Sequence, residues 1–358
     1  MLFYYYEILR GNFMNITIEQ ELDPVYEILG LLYLSNKPRW KEELKKELPA
    51  YGVEPERFYE KYLKILEKYV KSFQKYKVTL PQEESFFRNC PEDLFSLYLA
   101  MGTEQREFLT RSVSEEENKL RSILAVYLSD HTTENMDSVQ WQDLRFSLPD
   151  EAAIISFINQ LGYKSEEKWR LLEILCNPCR WYSELFEMIK SNLTAYEKAK
   201  RAVEKPLAKL LGDYAEFQDD EFLKIAGTIT REVTVYPALA LPLAQFVLYT
   251  NCYQGLFCRY LFLDVREPDA AASLFSRRLK ALSDKSKLDI IRELKQANRY
   301  NLELAEQLKL SPSTTSHHMN TLLSCGFVSV EKQDGKVYYS LNQKNIETFL
   351  NDLKELLL

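Results

Sequence analysis

Glycine is scarce in this chain: ten residues in 358, widely separated. Sites that wrap backbone around a phosphate need clustered glycines, because only a residue without a Cβ allows the tight turn and the close approach. No Gly-x-Gly-x-x-Gly, phosphate-loop or nucleophile-elbow pattern occurs, so the sequence offers no foothold for an enzyme and calls for no cofactor. Histidine is scarcer still, at three residues, which leaves little for general-base or metal chemistry. The six cysteines are irregularly spaced and make no disulfide framework, a usage that fits the reducing cytoplasm. Cys176-Asn177-Pro178-Cys179 has no second Cys-x-x-Cys to complete a zinc site and no βαβ surround for redox work. It reads as a helix break with two semi-buried thiols. No apolar run reaches the ~20 residues of a membrane span. Met1 to Phe13 is aromatic but has neither a basic start nor a small-residue cleavage site, so it does not read as a signal peptide, and Met14 is an alternative start.

What the chain has in quantity is apolar and aromatic residues, 46% and 13%, enough for sizeable cores in two or three domains. Its charge is uneven. From Pro268 onward thirteen Lys and Arg face eleven Asp and Glu, a net +2; the rest of the chain carries −9. The acidic part is unsuited to holding nucleic acid by bulk electrostatics.

Residues 1–22 are expected to be an extension. Residues 23–265 read as a largely helical sensing or dimerisation region. Asp23-Pro24 opens a helix through Val25, Ile28, Leu29 and Leu32, and further helices are expected over 56–70, 91–101, 115–129, 151–161, 166–175, 181–191 and 195–211. A small β element is expected near 229–263: one strand at Ile229 to Tyr236, and two more, Phe246 to Thr250 and Leu256 to Leu263, joined near Gln254-Gly255. Trp169, Trp181, Tyr182 and Phe186 read as an aromatic core rather than a ligand pocket. Asp264 to Asp269, with Pro268, reads as a linker.

Residues 270–358 are the most readable. Asp284 can cap a helix through Leu288, Ile290, Ile291 and Leu294, and Asn301 one through Leu308, with small Ala305 allowing a close helix crossing. Lys309 and Leu310 make a turn. Ser311 is an N-cap with Pro312 at the first helical position. At about 100° per residue, Thr315, Met319, Leu322 and Leu323 share one face of the next helix, while Ser313, Thr314, His317, Asn320 and Thr321 share the other. That second face is short, polar and nearly uncharged, suited to base edges and phosphates. His318 lies at the edge of the apolar face. Gly326 is a left-handed cap. Two strands then flank Asp334-Gly335, a hairpin turn, with Lys332 and Lys336 at the tip and Tyr338 beyond it. A last helix, Gln343 to Leu357, has Ile346, Phe349, Leu350, Leu353 and Leu357 on one stripe.

From Leu279 to Leu341 the motifs Leu279-Lys280-Ala281-Leu282-Ser283-Asp284, Leu304-Ala305-Glu306-Gln307-Leu308, Ser311 to Met319 and Gly335-Lys336-Val337-Tyr338-Tyr339 stand in an order and spacing that resembles the ArsR-type bacterial transcription regulators. The resemblance, which spans about a quarter of the chain, implies a winged helix-turn-helix on double-stranded DNA. It implies contacts from Ser311, Ser313, Thr314, His317, His318, Thr321, Lys332, Lys336 and Tyr338. It also implies a homodimer through first and last helices, where Leu274, Phe275, Leu282, Phe349 and Leu353 are the matching positions. Many members sense metals through cysteines before the turn or histidines on the last helix. Asn298 to Leu304 has no cysteine here and the last helix no histidine, so no metal response through those sites is expected.

The expected fold is thus mainly α: a multi-helix N-terminal domain with a small β element, then a C-terminal winged helix-turn-helix. The expected function is a cytoplasmic, sequence-specific transcription regulator, a repressor, whose N-terminal region senses an unknown small-molecule or protein effector, with no membrane partner. Alternatives are a protein-interaction module using its winged helix, or an enzyme with a regulatory winged domain.

Overall fold

The computed structural model describes residues 15–51, 53–113, 117–129, 147–216, 222–223, 226, 232–248, 251–263, 270–310, 312–333 and 336–358. Helix α1 (Pro24–Ser35) starts as the sequence predicts: Asp23 Oδ1 accepts from the Val25 amide at 3.1 Å, with Pro24 at the first helical position. α2 (Trp40–Glu47) runs into a 3-10 turn at Leu48–Tyr51. α3 (Pro55–Phe58) passes through a π-helical turn at Tyr59–Leu63 into α4 (Lys64–Tyr76), so the helix expected over 56–70 is longer and locally widened. α5 (Glu83–Phe87) is not among the expected helices; α6 (Glu92–Glu104), α7 (Glu117–Ser129), α8 (Glu151–Gln160) and α9 (Ser165–Cys176) follow close to expectation.

The next helix departs from it. α10 (Pro178–Ala202) is continuous over 25 residues where the sequence divides into 181–191 and 195–211. Ser191-Asn192 reads as a stop by propensity, yet Asn192 is fully buried. Its amide group accepts from the Val78 backbone N–H and donates to the carbonyls of Val78 and Met188. Those tertiary bonds override the local preference. The true break is at Val203, before α11 (Glu204–Glu216). α10 is the axis of the region, packed on α1, α4 and α6. Tyr26, Tyr69, Phe73, Phe86, Tyr98 and Tyr182 fill the space between. Trp181, Tyr182 and Phe186 are core, as expected. Trp169 is not: it is 70% exposed on α9. Cys176 and Cys179 are half-buried thiols on either side of the α9–α10 break.

A mixed sheet covers one side: β1 (Asn15–Ile18), β2 (Glu232–Ala238), β3 (Gln245–Val247) and β4 (Asn251–Gly255), in the order β1-β2-β4-β3. β1 and β2 are parallel, as are β2 and β4; β3 and β4 are antiparallel. Two expectations are overturned here. Residues 15–18, expected in an extension, form an edge strand of the sheet. Leu256 to Leu263 is not a strand; from Cys258 on it is α12 (Cys258–Leu263). β4 ends at Gly255, where a Cβ would lie 2.3 Å from the Pro242 carbonyl oxygen, so only glycine lets the chain close there and turn away.

Buried polar groups tie α1 to this sheet. The Glu27 carboxylate accepts from the Leu239 and Ala240 amides at 2.7 and 3.0 Å and from the Tyr69 hydroxyl at 2.9 Å. One turn earlier, Asp23 accepts two bonds from Arg106, at 3.1 and 2.7 Å, and one from the Tyr253 hydroxyl at 2.6 Å. Gly30 permits the contact, since a Cβ there would meet Ala240 Cβ at 2.7 Å.

The chain then builds a second core from α13 (Ala270–Ser283), α14 (Lys285–Gln296), α15 (Asn301–Leu308), α16 (Pro312–Ser324), strands β5 (Val328–Gln333) and β6 (Lys336–Leu341), and α17 (Gln343–Leu357). The expected linker at 264–269 and the Asp334-Gly335 turn lie outside the described residues. No helix among the described residues is long and apolar enough to cross a membrane.

Candidate nucleic-acid interface

α14 begins where Asp284 Oδ1 accepts from the Lys287 amide at 3.0 Å. Burial alone would raise the Asp284 carboxyl, but the Lys287 amide bond, the Lys287 ammonium and nearby His318 outweigh it and hold it below its usual value. α15 starts one residue earlier than expected: Tyr300 is the cap, its amide donating to Glu303 Oε2 at 3.3 Å, and Asn301 is a buried first residue of the helix. Its end is sharp. Lys309 takes the left-handed conformation (φ 54°), and the Leu310 amide returns to the Ala305 carbonyl at 2.9 Å.

α16 follows that turn. Thr315, Met319, Leu322 and Leu323 are buried on its inner side, as their spacing predicts. Gly326 closes it (φ 69°): its amide bonds Leu323 O at 2.8 Å and the Phe327 amide bonds Leu322 O at 3.0 Å, the paired bonds of a Schellman cap. Two polar side chains clamp this cap. Arg278 Nε donates to Cys325 O at 2.9 Å, and Asn345 Nδ2 to Gly326 O at 3.1 Å. They join α13 and α17 to the carboxyl end of α16. Sequence reasoning missed both, since a lone Arg and a lone Asn on amphipathic helices look like solvated residues.

The hairpin pairs Val328 with Leu341 through Gln333 with Lys336. Arg299 adds a short third rung, exchanging backbone bonds with Tyr339 at 3.2 and 2.8 Å. Tyr338 is half-buried, edge-on to Tyr300 with ring centres 5.9 Å apart. A helix, a tight left-handed turn, a second helix with a polar face and a two-stranded wing now stand in sequence.

The arsR family profile of bacterial regulatory proteins matches residues 284–330. The chain is 33% identical over 75 residues to the arsenical resistance operon repressor of Staphylococcus aureus, covering 21% of this chain and 72% of that protein. It is 30% identical over 100 residues to the HTH-type transcriptional regulator YceK of Bacillus subtilis strain 168, covering 27% and 98%. A Streptomyces lividans protein named "probable mercury resistance operon repressor" is 28% identical over 79 residues, covering 22% and 60%. No solved structure matches. The chain belongs to the bacterial arsR family.

Within this arsR-family fold, Thr314 is exposed near the start of α16 and His318 is half-buried. Thr321 is a correction: the sequence puts it on the open polar face, but it is 7% exposed. The helix buries an arc of about 200°, from Thr321 round to Leu323 at 100° per residue, wider than the stripe assumed from the sequence. Ser311 lies outside the described residues, as do the side chains of Ser313, His317, Lys332 and Lys336.

The expected dimer positions divide. Phe349 is a correction: it is 1% exposed inside its own domain, with ring centres 5.3 Å from Phe275 and 5.4 Å from Phe327. Phe275 and Leu282 are partly buried against the same core, and Leu353 is half-buried. The Leu274 side chain lies outside the described residues. What α13 and α17 leave open is Leu279, Leu350, Leu356 and Leu357. Among the described residues no group of three or more His, Cys, Asp or Glu is placed to hold a metal ion.

Proposed function

We propose that this arsR-family chain is a sequence-specific DNA-binding transcription regulator that acts as a homodimer and represses. The reading is carried by α16, a helix fixed at both ends by a left-handed turn and a clamped Schellman cap, following the turn expected of a helix-turn-helix. Ser313, Thr314 and His317 are the residues assigned to base edges in the major groove. Ser311, His318, Lys332, Lys336 and Tyr338 are assigned to the sugar-phosphate backbone. The exposed leucines of α13 and α17 are assigned to the partner copy, so that two reading helices meet half-sites one helical turn apart. The N-terminal region is assigned the sensing of a small molecule or protein, since neither usual metal site of the family has its ligands here.

The test is fluorescence anisotropy of the full chain on tiled duplexes from its own upstream DNA at two salt concentrations, with His317→Ala alongside. Tight binding to one tile, weakened by salt and by the substitution, supports the reading. Phosphate contacts require the salt dependence and base contacts require the tile preference. Binding to no DNA even at low salt refutes it and favours a protein partner for the wing.

A further inference from the structure

We infer that the N-terminal body holds the reading helix in a closed form that competes with DNA. The inference rests on the DNA-binding reading above and adds how that site is controlled. Contacts at separate places carry it. α16 packs directly against α6 of the N-terminal body. The turn that feeds α16 abuts the α8–α9 turn, where a Cβ on Gly162 would lie 3.9 Å from the Leu310 carbonyl oxygen. On the far side, Lys280 Nζ of α13 donates to the Pro49 carbonyl at 3.3 Å, and α13 packs on the 3-10 turn at Leu48–Tyr51. Val247, on the edge strand of the N-terminal sheet, also packs against the winged core.

A reading helix enters a major groove about 12 Å wide, and the groove walls flank it along its length. Packed helices sit with axes about 8–10 Å apart. α6 packed against α16 therefore takes up space beside the reading helix that a groove wall would need. The body it belongs to is also the acidic part of the chain, net −9 before Pro268, so it would bring like charge toward phosphates.

The closed form and the DNA-bound form are mutually exclusive, and the apparent affinity for DNA falls by the fraction of chains that are open. Among the described residues the contacts across the two parts include a helix crossing, α13 against the 3-10 turn, a lysine–carbonyl bond, a backbone approach and a valine. A junction of that kind suits an equilibrium that an effector on the N-terminal body can shift.

The test uses the full chain and a fluorescein-labelled duplex from its upstream region. Gly162 is exposed, and its backbone is not in the left-handed region, so Gly162→Arg fits its own turn but places a long side chain against Leu310. The expected result is DNA binding tighter by about tenfold or more, with faster amide exchange over 312–324 before any DNA is added. Lys280→Met should shift both readings in the same direction by less. A cysteine pair, Gly162→Cys with Leu310→Cys, tests the converse: oxidation should abolish binding and reduction should recover it. Equal affinity and equal exchange in wild type and Gly162→Arg, with DNA binding intact in the oxidised pair, overturn the closed form and leave the DNA reading standing. No binding by any form, reduced pair included, overturns both.

Discussion

The two parts of this chain hold themselves together differently. The N-terminal body sets polar groups deep in its interior: Glu27 against two backbone amides and the Tyr69 hydroxyl, Asp23 against Arg106 and the Tyr253 hydroxyl, Asn192 against Val78. The winged domain has a smaller, mostly aliphatic core, with side-chain bonds at helix ends, at Asp284, Gly326 and Asn342, and between Ser329 and Ser340 across the hairpin. It also leaves leucines on its surface. Buried polar bonds fix one arrangement, because any other strands a donor or a charge. Caps and a small core fix local elements but leave the outer face available. The difference separates a body built to keep its shape from a domain built to meet something else.

Breaking the buried ion pair should produce the largest effect. Arg106→Leu leaves the Asp23 carboxylate, fully buried, without its cation. Stranding one partner of a fully buried pair costs about 3–5 kcal/mol; with Arg106 34% exposed, the loss is expected in the lower part of that range. Urea denaturation followed by tryptophan fluorescence should show that loss in the N-terminal body, where all four tryptophans lie. Amide exchange in residues 284–330 should barely change; parallel loss there would mean that the two parts fold as one unit.

The second effect is pH-dependent. Burial pushes the Glu27 carboxyl up to about 7, against the pull of its three hydrogen-bond donors. The sign follows from linkage. Below the ordinary carboxylate range Glu27 is protonated in both folded and unfolded chains and costs nothing. As pH rises past that range the unfolded chain ionises first, so stability falls until the folded group ionises near pH 7. The full penalty is on the order of 3 kcal/mol. Urea midpoints from pH 5 to 7.5 should therefore fall, and Glu27→Gln should flatten part of that slope. An unchanged slope in Glu27→Gln would remove Glu27 from the account.

In the winged domain the matching perturbation is smaller. Gly326→Ala forces a Cβ into the left-handed region and sets it 2.9 Å from Asn345 Nδ2, displacing part of the clamp on α16. A loss of about 1 kcal/mol is expected from the backbone alone. It should appear as faster exchange at the end of α16 and weaker DNA binding, with the N-terminal urea transition unmoved. A shift of that transition would show that the winged domain stabilises the body it touches.

The same contrast governs how much was legible in the sequence. The winged domain could be read almost residue by residue, because its helix ends are written locally: Asp284, Pro312 and Gly326 each act within one turn of chain. Apart from the cap of α15, which is Tyr300 and not Asn301, errors there came from packing. Thr321 and Phe349 looked available on a helical wheel and proved buried, since a wheel gives a face but not what covers it. In the N-terminal body the decisive interactions span the chain. Nothing near Asn192 announces Val78, and nothing near Asn15 announces Glu232, its partner across a parallel sheet. Leu256 to Leu263 has strand composition, yet the strand stops before it, where Gly255 closes against Pro242, and a helix follows. Local spacing cannot encode such a contact.

The smallest effect on stability falls on the surface leucines, and it sharpens the comparison most. Leu350 and Leu357 are 53% and 70% exposed on α17. Replacing them with lysine should leave the folding of one chain within about 0.5 kcal/mol, the usual range for surface sites. If the open face of the winged domain meets a second copy, Leu350→Lys with Leu357→Lys should halve the mass seen by sedimentation velocity. It should also weaken binding to a two-half-site duplex far more than to a single half-site, because the paired chains bind at high effective concentration. If the mass stays that of a dimer, the pairing surface lies on the N-terminal body, and the leucines of α17 serve some other contact. Phe349→Ala then separates the two roles of this helix. Its ring is inside the winged core, so its loss should unfold that domain whether or not the chain pairs.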